Sequence, residues 1–116
     1  MKHYCLLNFI NEEVLEEYQR LHMEADKDLL MTLKECGTQE ECIFMHGNIA
    51  IIYIKCDDIN DCIHRFYETE VGIEWGKKMQ PFLMDSQAMN DDGTSRDEII
   101  CLKKVFDINE QLESIQ

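Results

Sequence analysis

From His3 to Ile10 the side chains alternate between two faces. Tyr4, Leu6 and Ile10 share one, with Asn8 between them, and Cys5, Leu7 and Phe9 share the other. A period of two is a strand's period, and apolar residues on both sides predict a strand covered on both faces. The period then changes. Val14, Tyr18, Leu21, Ala25, Leu29 and Leu33 recur at spacings of three and four, the core stripe of an amphipathic helix. Asn11 is placed to cap that helix, Glu12 and Glu13 suit the positive end of its dipole, and Gly37 suits its C-terminal stop. The pattern predicts one helix over Glu12–Cys36. Glu41–His46 reads as a short strand and His46-Gly47-Asn48 as a tight turn. Ile49–Lys55 is the clearest strand, β-branched and too short for a helix, so the two form a hairpin. Asp58–Glu68 predicts a second helix with Ile59, Cys62, Ile63, Phe66 and Tyr67 as its apolar positions. Thr69 can cap a further short helix through Met79, closed by Pro81. Asp85–Asp97 reads as a polar loop, Glu98–Phe106 as the last strand, and Asp107–Gln116 as an acidic tail, helical or frayed.

The expected order is β-α-β-β-α-β, the ferredoxin-like arrangement. It implies an α+β fold, a four-stranded antiparallel sheet with the helices on one face. On the third strand Ile49, Ile51 and Tyr53 point one way and Ala50, Ile52 and Ile54 the other. An apolar sheet face without helices is an association surface. A homodimer packed sheet on sheet, a dimeric α+β barrel, is therefore expected. With 116 residues there is room for one core. We expect a single domain over 1–108 and an acidic tail over 109–116.

Charge narrows the partners. The chain carries 11 Lys and Arg against 24 Asp and Glu, a formal net charge of −13. Clustered cations for phosphate neutralisation are lacking, which argues against nucleic acid and against an anionic membrane surface. No apolar run is long enough to span a bilayer, and Asn8 interrupts the only stretch that resembles a signal, so a cytoplasmic location is expected. The six cysteines have no C-x-x-C spacing, and Cys5, Cys42 and Cys101 lie in apolar segments. Reduced packing thiols, rather than disulfides or a zinc site, are expected. The acidic stretches Asp57–Asp61 and Asn90–Gly93 lack the terminal carboxylate of a calcium loop, so no metal is expected.

Two local features can carry chemistry. Tyr18 and His22 stand four residues apart, on one face of the first helix. A phenol beside an imidazole can hold a hydroxyl-rich ligand and move its protons near neutral pH. Tyr18 also lies on the apolar stripe, so a core role is the alternative. Trp75, the only Trp, can stack on the apolar face of a pyranose, or anchor a core or interface. Glu40-Glu41 enters the second strand as a solvated end or as an acid for a pocket.

Glu16-Glu17-Tyr18-Gln19-Arg20-Leu21-His22 resembles the E-E-Y-x-x-x-H segment of L-rhamnose mutarotases. Leu33-Lys34 with Gly37 is similar to that family's helix end, Trp75 with Lys77 and Met79 to its W-W-K-x-M segment, and Val105-Phe106 to the V-F of its last strand. The resemblance spans Met1 to about Ile108. It implies a dimeric α+β barrel that interconverts the α and β anomers of a free sugar such as L-rhamnose, without a cofactor. It implies His22 as proton donor, and Tyr18 and Trp75 as substrate-binding residues. Two positions depart from the family. Gly76 stands where a second Trp is usual, and Glu41 where a sugar-holding Tyr is usual. Both are expected to border the substrate and to alter the pocket. The alternatives are a non-catalytic barrel that binds a small ligand, or a different barrel enzyme of monooxygenase type. The mutarotase reading requires Tyr18, His22 and Trp75 to converge on one sugar-sized cavity.

Overall fold

A computed structural model describes residues 1–115. Four strands form one antiparallel sheet: β1 (Lys2–Ile10), β2 (Glu40–His46), β3 (Ile49–Cys56) and β4 (Leu83–Ser86), in the order β2-β3-β1-β4. Two helix pairs connect them: α1 (Leu15–Met23) and α2 (Lys27–Glu35) between β1 and β2, and α3 (Ile59–Glu68) and α4 (Glu70–Met79) between β3 and β4. This is the expected α+β, ferredoxin-like fold. The hairpin turn is tight because Gly47 takes φ +58°, a conformation that costs glycine little.

Register decides which residues face the helices. Leu6 pairs with Ile52 and Tyr4 with Ile54, while Glu41 pairs with Ile54 and Ile43 with Ile52. Directly opposed residues share a face. The helix-facing side of the sheet therefore carries Leu6, Asn8 and Ile10 from β1, Ala50, Ile52, Ile54 and Cys56 from β3, and Glu41, Ile43 and Met45 from β2. Leu6, Ile10, Ala50, Ile52, Ile54 and Cys56 are buried there with Tyr18, Ile59, Cys62, Ile63 and Met79. The opposite side carries the row Leu7–Ile51–Phe44, in which Phe44 is 63% exposed.

Two expected elements are corrected, and the tail takes the helical one of its two expected forms. The helix over Glu12–Cys36 is instead a 3₁₀ turn (Glu12–Val14) followed by α1 and α2, interrupted at Glu24–Asp26. Asp26 is extended and its side chain accepts from Leu29 N at 2.8 Å, so it caps a new helix. The last strand is not Glu98–Phe106. Leu83–Ser86 takes the place beside Asn8–Ile10, after α4 and a 3₁₀ turn (Gln80–Phe82), and its Asp85 and Ser86 begin the stretch expected as loop. The 98–106 segment forms no strand and is held by bonds from Ile100 N to Gln87 O (2.9 Å) and Leu102 N to Cys5 O (2.7 Å). The tail forms α5 (Ile108–Ile115), capped by Asp107, whose Oδ1 accepts from Asn109 N and Glu110 N. Gln116, the end of the expected tail, lies outside the described residues. The expected caps at Asn11 and Thr69 are made, and Asp58 caps α3 by accepting from Asp61 N. All six cysteines are unpaired.

Candidate functional site

A cavity of about 360 Å³ lies between the helix-facing side of the sheet and helices α1 to α4. That volume is at the small end of the ~300–1,000 Å³ typical of ligand pockets. Its walls are mostly apolar, with Leu6 and Ile52 from the sheet and Leu29 and Leu33 from α2. Its polar lining is Asn8, Tyr18, His22, Thr38, Glu41 and Tyr67. Trp75 lines it from α4.

Tyr18 and His22 project from successive turns of α1, with ring centroids 4.3 Å apart. Tyr18 is 2% exposed. Burial pushes its hydroxyl up to about 12, with the Asn8 amide opposing and Glu41 adding to the shift. His22 Nδ1 lies 2.8 Å from the Tyr18 carbonyl oxygen. A carbonyl only accepts, so Nδ1 carries a proton and the neutral ring keeps its lone pair on Nε2. Among the described residues Nε2 has no hydrogen-bond partner. Burial lowers the His22 pKa from its ordinary value, and the bond to the carbonyl offsets part of that shift. The imidazole is therefore neutral at pH 7. Trp75 meets it edge-on, at 5.2 Å and 79° between planes.

Glu41 enters the cavity from the edge strand β2. Its residue surface is open by area, yet its carboxyl is pushed up to about 7 by desolvation. The two observations are compatible, because Glu41 lines a concave, mostly apolar cavity. There the carboxyl is reachable by solvent but poorly hydrated. The shift is upward, so a substantial fraction of the carboxyl is protonated near neutral pH.

Tyr18, His22, Trp75 and Glu41 thus border one space. Gly76 does not line it. A Cβ built on Gly76 would fall 2.3 Å from the Gly93 carbonyl oxygen, so the glycine permits a backbone-to-backbone approach of α4 and the 90–95 loop. Three polar lining residues, Asn8, Thr38 and Tyr67, escape a reading of the sequence. Asn8 interrupts the apolar face of β1, and its Oδ1 accepts from Ser86 Oγ at 2.6 Å. The break in alternation was its only signal. Tyr67 reads as one more apolar position of α3, with nothing to mark its hydroxyl. Among the described residues no three His, Cys, Asp or Glu side chains are grouped to hold a metal ion, and no helix is long and apolar enough to cross a membrane.

The family model for L-rhamnose mutarotase matches residues 3–108. No curated protein sequence matches the chain. Among solved structures, an L-rhamnose mutarotase from Formosa agariphila is similar, with a TM-score of 0.69 and 19% identity over 91% of this chain and 97% of that one. Tetracenomycin F2 cyclase from Streptomyces glaucescens, a type II polyketide cyclase, is similar with a TM-score of 0.63 and 13% identity over 92% and 96%. At these identities the structural likenesses concern the fold, and the cyclase illustrates that one fold hosts different chemistries. The family model speaks to descent across nearly the whole chain: this protein belongs to the L-rhamnose mutarotase family, isomerases that act on carbohydrates.

Proposed function

We propose that His22 and Glu41 form the acid/base pair of this sugar mutarotase, acting on a free aldopyranose of the L-rhamnose type. The observation that carries the proposal is their convergence on one cavity with opposite proton occupancies. His22 is neutral with a free lone pair on Nε2, and Glu41 holds its proton unusually well.

The steps follow from those occupancies. Nε2 takes the proton of the anomeric hydroxyl while Glu41 gives its proton to the ring oxygen. The bond between C1 and the ring oxygen breaks, leaving an open-chain aldehyde, an imidazolium and a carboxylate. The Tyr18 carbonyl, accepting from Nδ1, stabilises the imidazolium. The C1–C2 bond rotates. The released hydroxyl then attacks the other face of the carbonyl, giving its proton back to Glu41 while His22 protonates the new anomeric oxygen. His22 is thus acceptor on opening and donor on closing, and the pair returns to its starting state. No cofactor is needed. Tyr18 supplies a buried hydroxyl for a sugar oxygen, and Trp75 an aromatic wall that also fixes the imidazole edge.

The working unit we propose is a homodimer. The row Leu7–Ile51–Phe44 on the helix-free side of the sheet supports it, since a second copy placed there would cover an apolar strip spanning three strands. We assign the core to one domain over 1–108, with the tail from 109 outside it, and a cytoplasmic setting in keeping with six unpaired thiols.

Saturation-transfer NMR of anomer exchange tests the reaction on L-rhamnose, with L-fucose, L-lyxose and D-ribose for comparison. Acceleration by the wild type that falls about 100-fold or more in His22→Ala is the expected result. Absence of acceleration on every sugar overturns it and favours a ligand-binding barrel.

A further inference from the structure

The cavity is lined by a hydroxyl that the proposed chemistry does not use. Tyr67 lines the cavity from the last turn of α3. Its ring stacks edge-on against Phe66, with centroids 4.9 Å apart. Its hydroxyl has one partner, the Met89 sulfur at 3.4 Å. A thioether is a weak acceptor, so the oxygen keeps both lone pairs and its proton has a stronger partner to gain. Tyr18, Tyr67 and Glu41, from α1, α3 and β2, all line this one cavity, and desolvation raises the Tyr67 pKa, with Glu41 and then Tyr18 adding to the shift.

The ring packs closely on α4: a Cβ built on Gly76 would lie 3.4 Å from Tyr67 Cε1, at ordinary van der Waals distance. The hydroxyl end faces the cavity that Tyr67 lines. A buried polar group with a poor partner costs stability unless something better occupies the site. A polyhydroxylated ligand is something better.

We propose that Tyr67 is a substrate-binding residue, holding through its hydroxyl one non-reacting hydroxyl of the sugar. It thereby helps select which aldose the pocket accepts. The inference rests on the mutarotase reading above. It takes no part in proton transfer, since a phenol this buried keeps its proton throughout the working range.

The test is Tyr67→Phe, which keeps the ring and removes one oxygen. Anomer-exchange kinetics are measured for wild type and variant on the best sugar found and on its monodeoxy analogues, beside thermal melts without sugar. The expected result is a KM raised about 5- to 10-fold, as loss of one neutral hydrogen bond gives, with kcat kept within about twofold. On the one deoxy analogue that lacks the hydroxyl held by Tyr67, wild type and variant should have equal KM. A purely structural role would lower the melting temperature and shift every sugar alike. Unchanged KM in Tyr67→Phe, or a penalty equal across all analogues, overturns the assignment while leaving the mutarotase reading intact. A wild type that accelerates no sugar overturns both.

Discussion

His22 donates its Nδ1 proton to the carbonyl oxygen of Tyr18, 2.8 Å away and one helical turn earlier. The bond ties the ring to its own backbone, so the tautomer is set before any ligand arrives. It also means that the first residue of the pair does double duty, offering its hydroxyl to the cavity and its carbonyl to the imidazole. A helix bent at this turn would lose both functions together.

The proton occupancies predict a bell-shaped pH profile. The acid/base pair proposed above needs neutral His22 and protonated Glu41. It falls on the acid side as His22 takes a proton, below its ordinary value of 6.5, and on the alkaline side as Glu41 loses one near pH 7. The rate on L-rhamnose should peak between the two. In Glu41→Gln the alkaline fall should disappear and kcat should drop about 10- to 100-fold, read by pH-resolved exchange kinetics.

The same carboxyl makes the free protein's stability depend on pH. Its folded pKa, about 7, lies above the ordinary 4.5, so folding favours the protonated form. The contribution is fully present below pH 4.5 and is lost as pH rises through 7. Glu41→Gln should therefore melt higher than wild type at pH 8 and about level with it at pH 4.5. A constant difference across that range would contradict the desolvation of Glu41.

Ser86 is expected to matter beyond its size. Its Oγ donates to Asn8 Oδ1 and accepts from Ala88 N and Met89 N, all buried. Ser86→Ala leaves these groups without a partner, at a cost of about 1–3 kcal/mol. Chemical denaturation should show the loss, and the freed Asn8 amide should weaken sugar binding beside Tyr18.

Gly76→Ala places a methyl against the Gly93 carbonyl oxygen, backbone against backbone. Neither side yields by a rotamer change, so about 1–3 kcal/mol of destabilisation is expected. A melting temperature equal to wild type would show that the 90–95 loop yields freely.

Dimerisation through the open sheet face predicts that Ile51→Lys, at the centre of the Leu7–Ile51–Phe44 row, gives a folded single chain. Sedimentation should report a two-chain mass for wild type. A single-chain mass for wild type would remove the sheet-on-sheet arrangement.

Strand and helix periods carried most of the fold. The break at Glu24–Asp26 stayed hidden because Ala25 and Leu29 continue the stripe of Tyr18 and Leu21 across it. Two helices that line one cavity keep their apolar sides turned the same way, and Asp26 reads as surface until its side chain is seen capping Leu29 N. The true last strand, Leu-Met-Asp-Ser, is too short and too polar for a periodicity to announce, whereas 98–106 has the composition of a strand but no ladder to join. The convergence of Tyr18, His22 and Trp75 followed from spacing and resemblance together. The face of Glu41 depended on its register with Ile54, which no local pattern encodes. Gly76 shows the opposite limit, since a missing side chain at a motif position said nothing about whether that position meets the ligand or another backbone.

In the mechanism proposed above, the interrupted helix divides labour between what reacts and what measures. Tyr18 on α1 is packed into the main core, while Leu29 and Cys36, from α2 and its C-terminal cap, are buried with Phe66 in a separate cluster. The α2 residues Leu29, Leu30 and Leu33 face the ligand space without touching the proton chemistry. Trimming or enlarging them alters how large a guest is admitted and leaves the imidazole where it was. A lineage carrying such a joint can explore new sugars one wall at a time, with its reactive groups held constant.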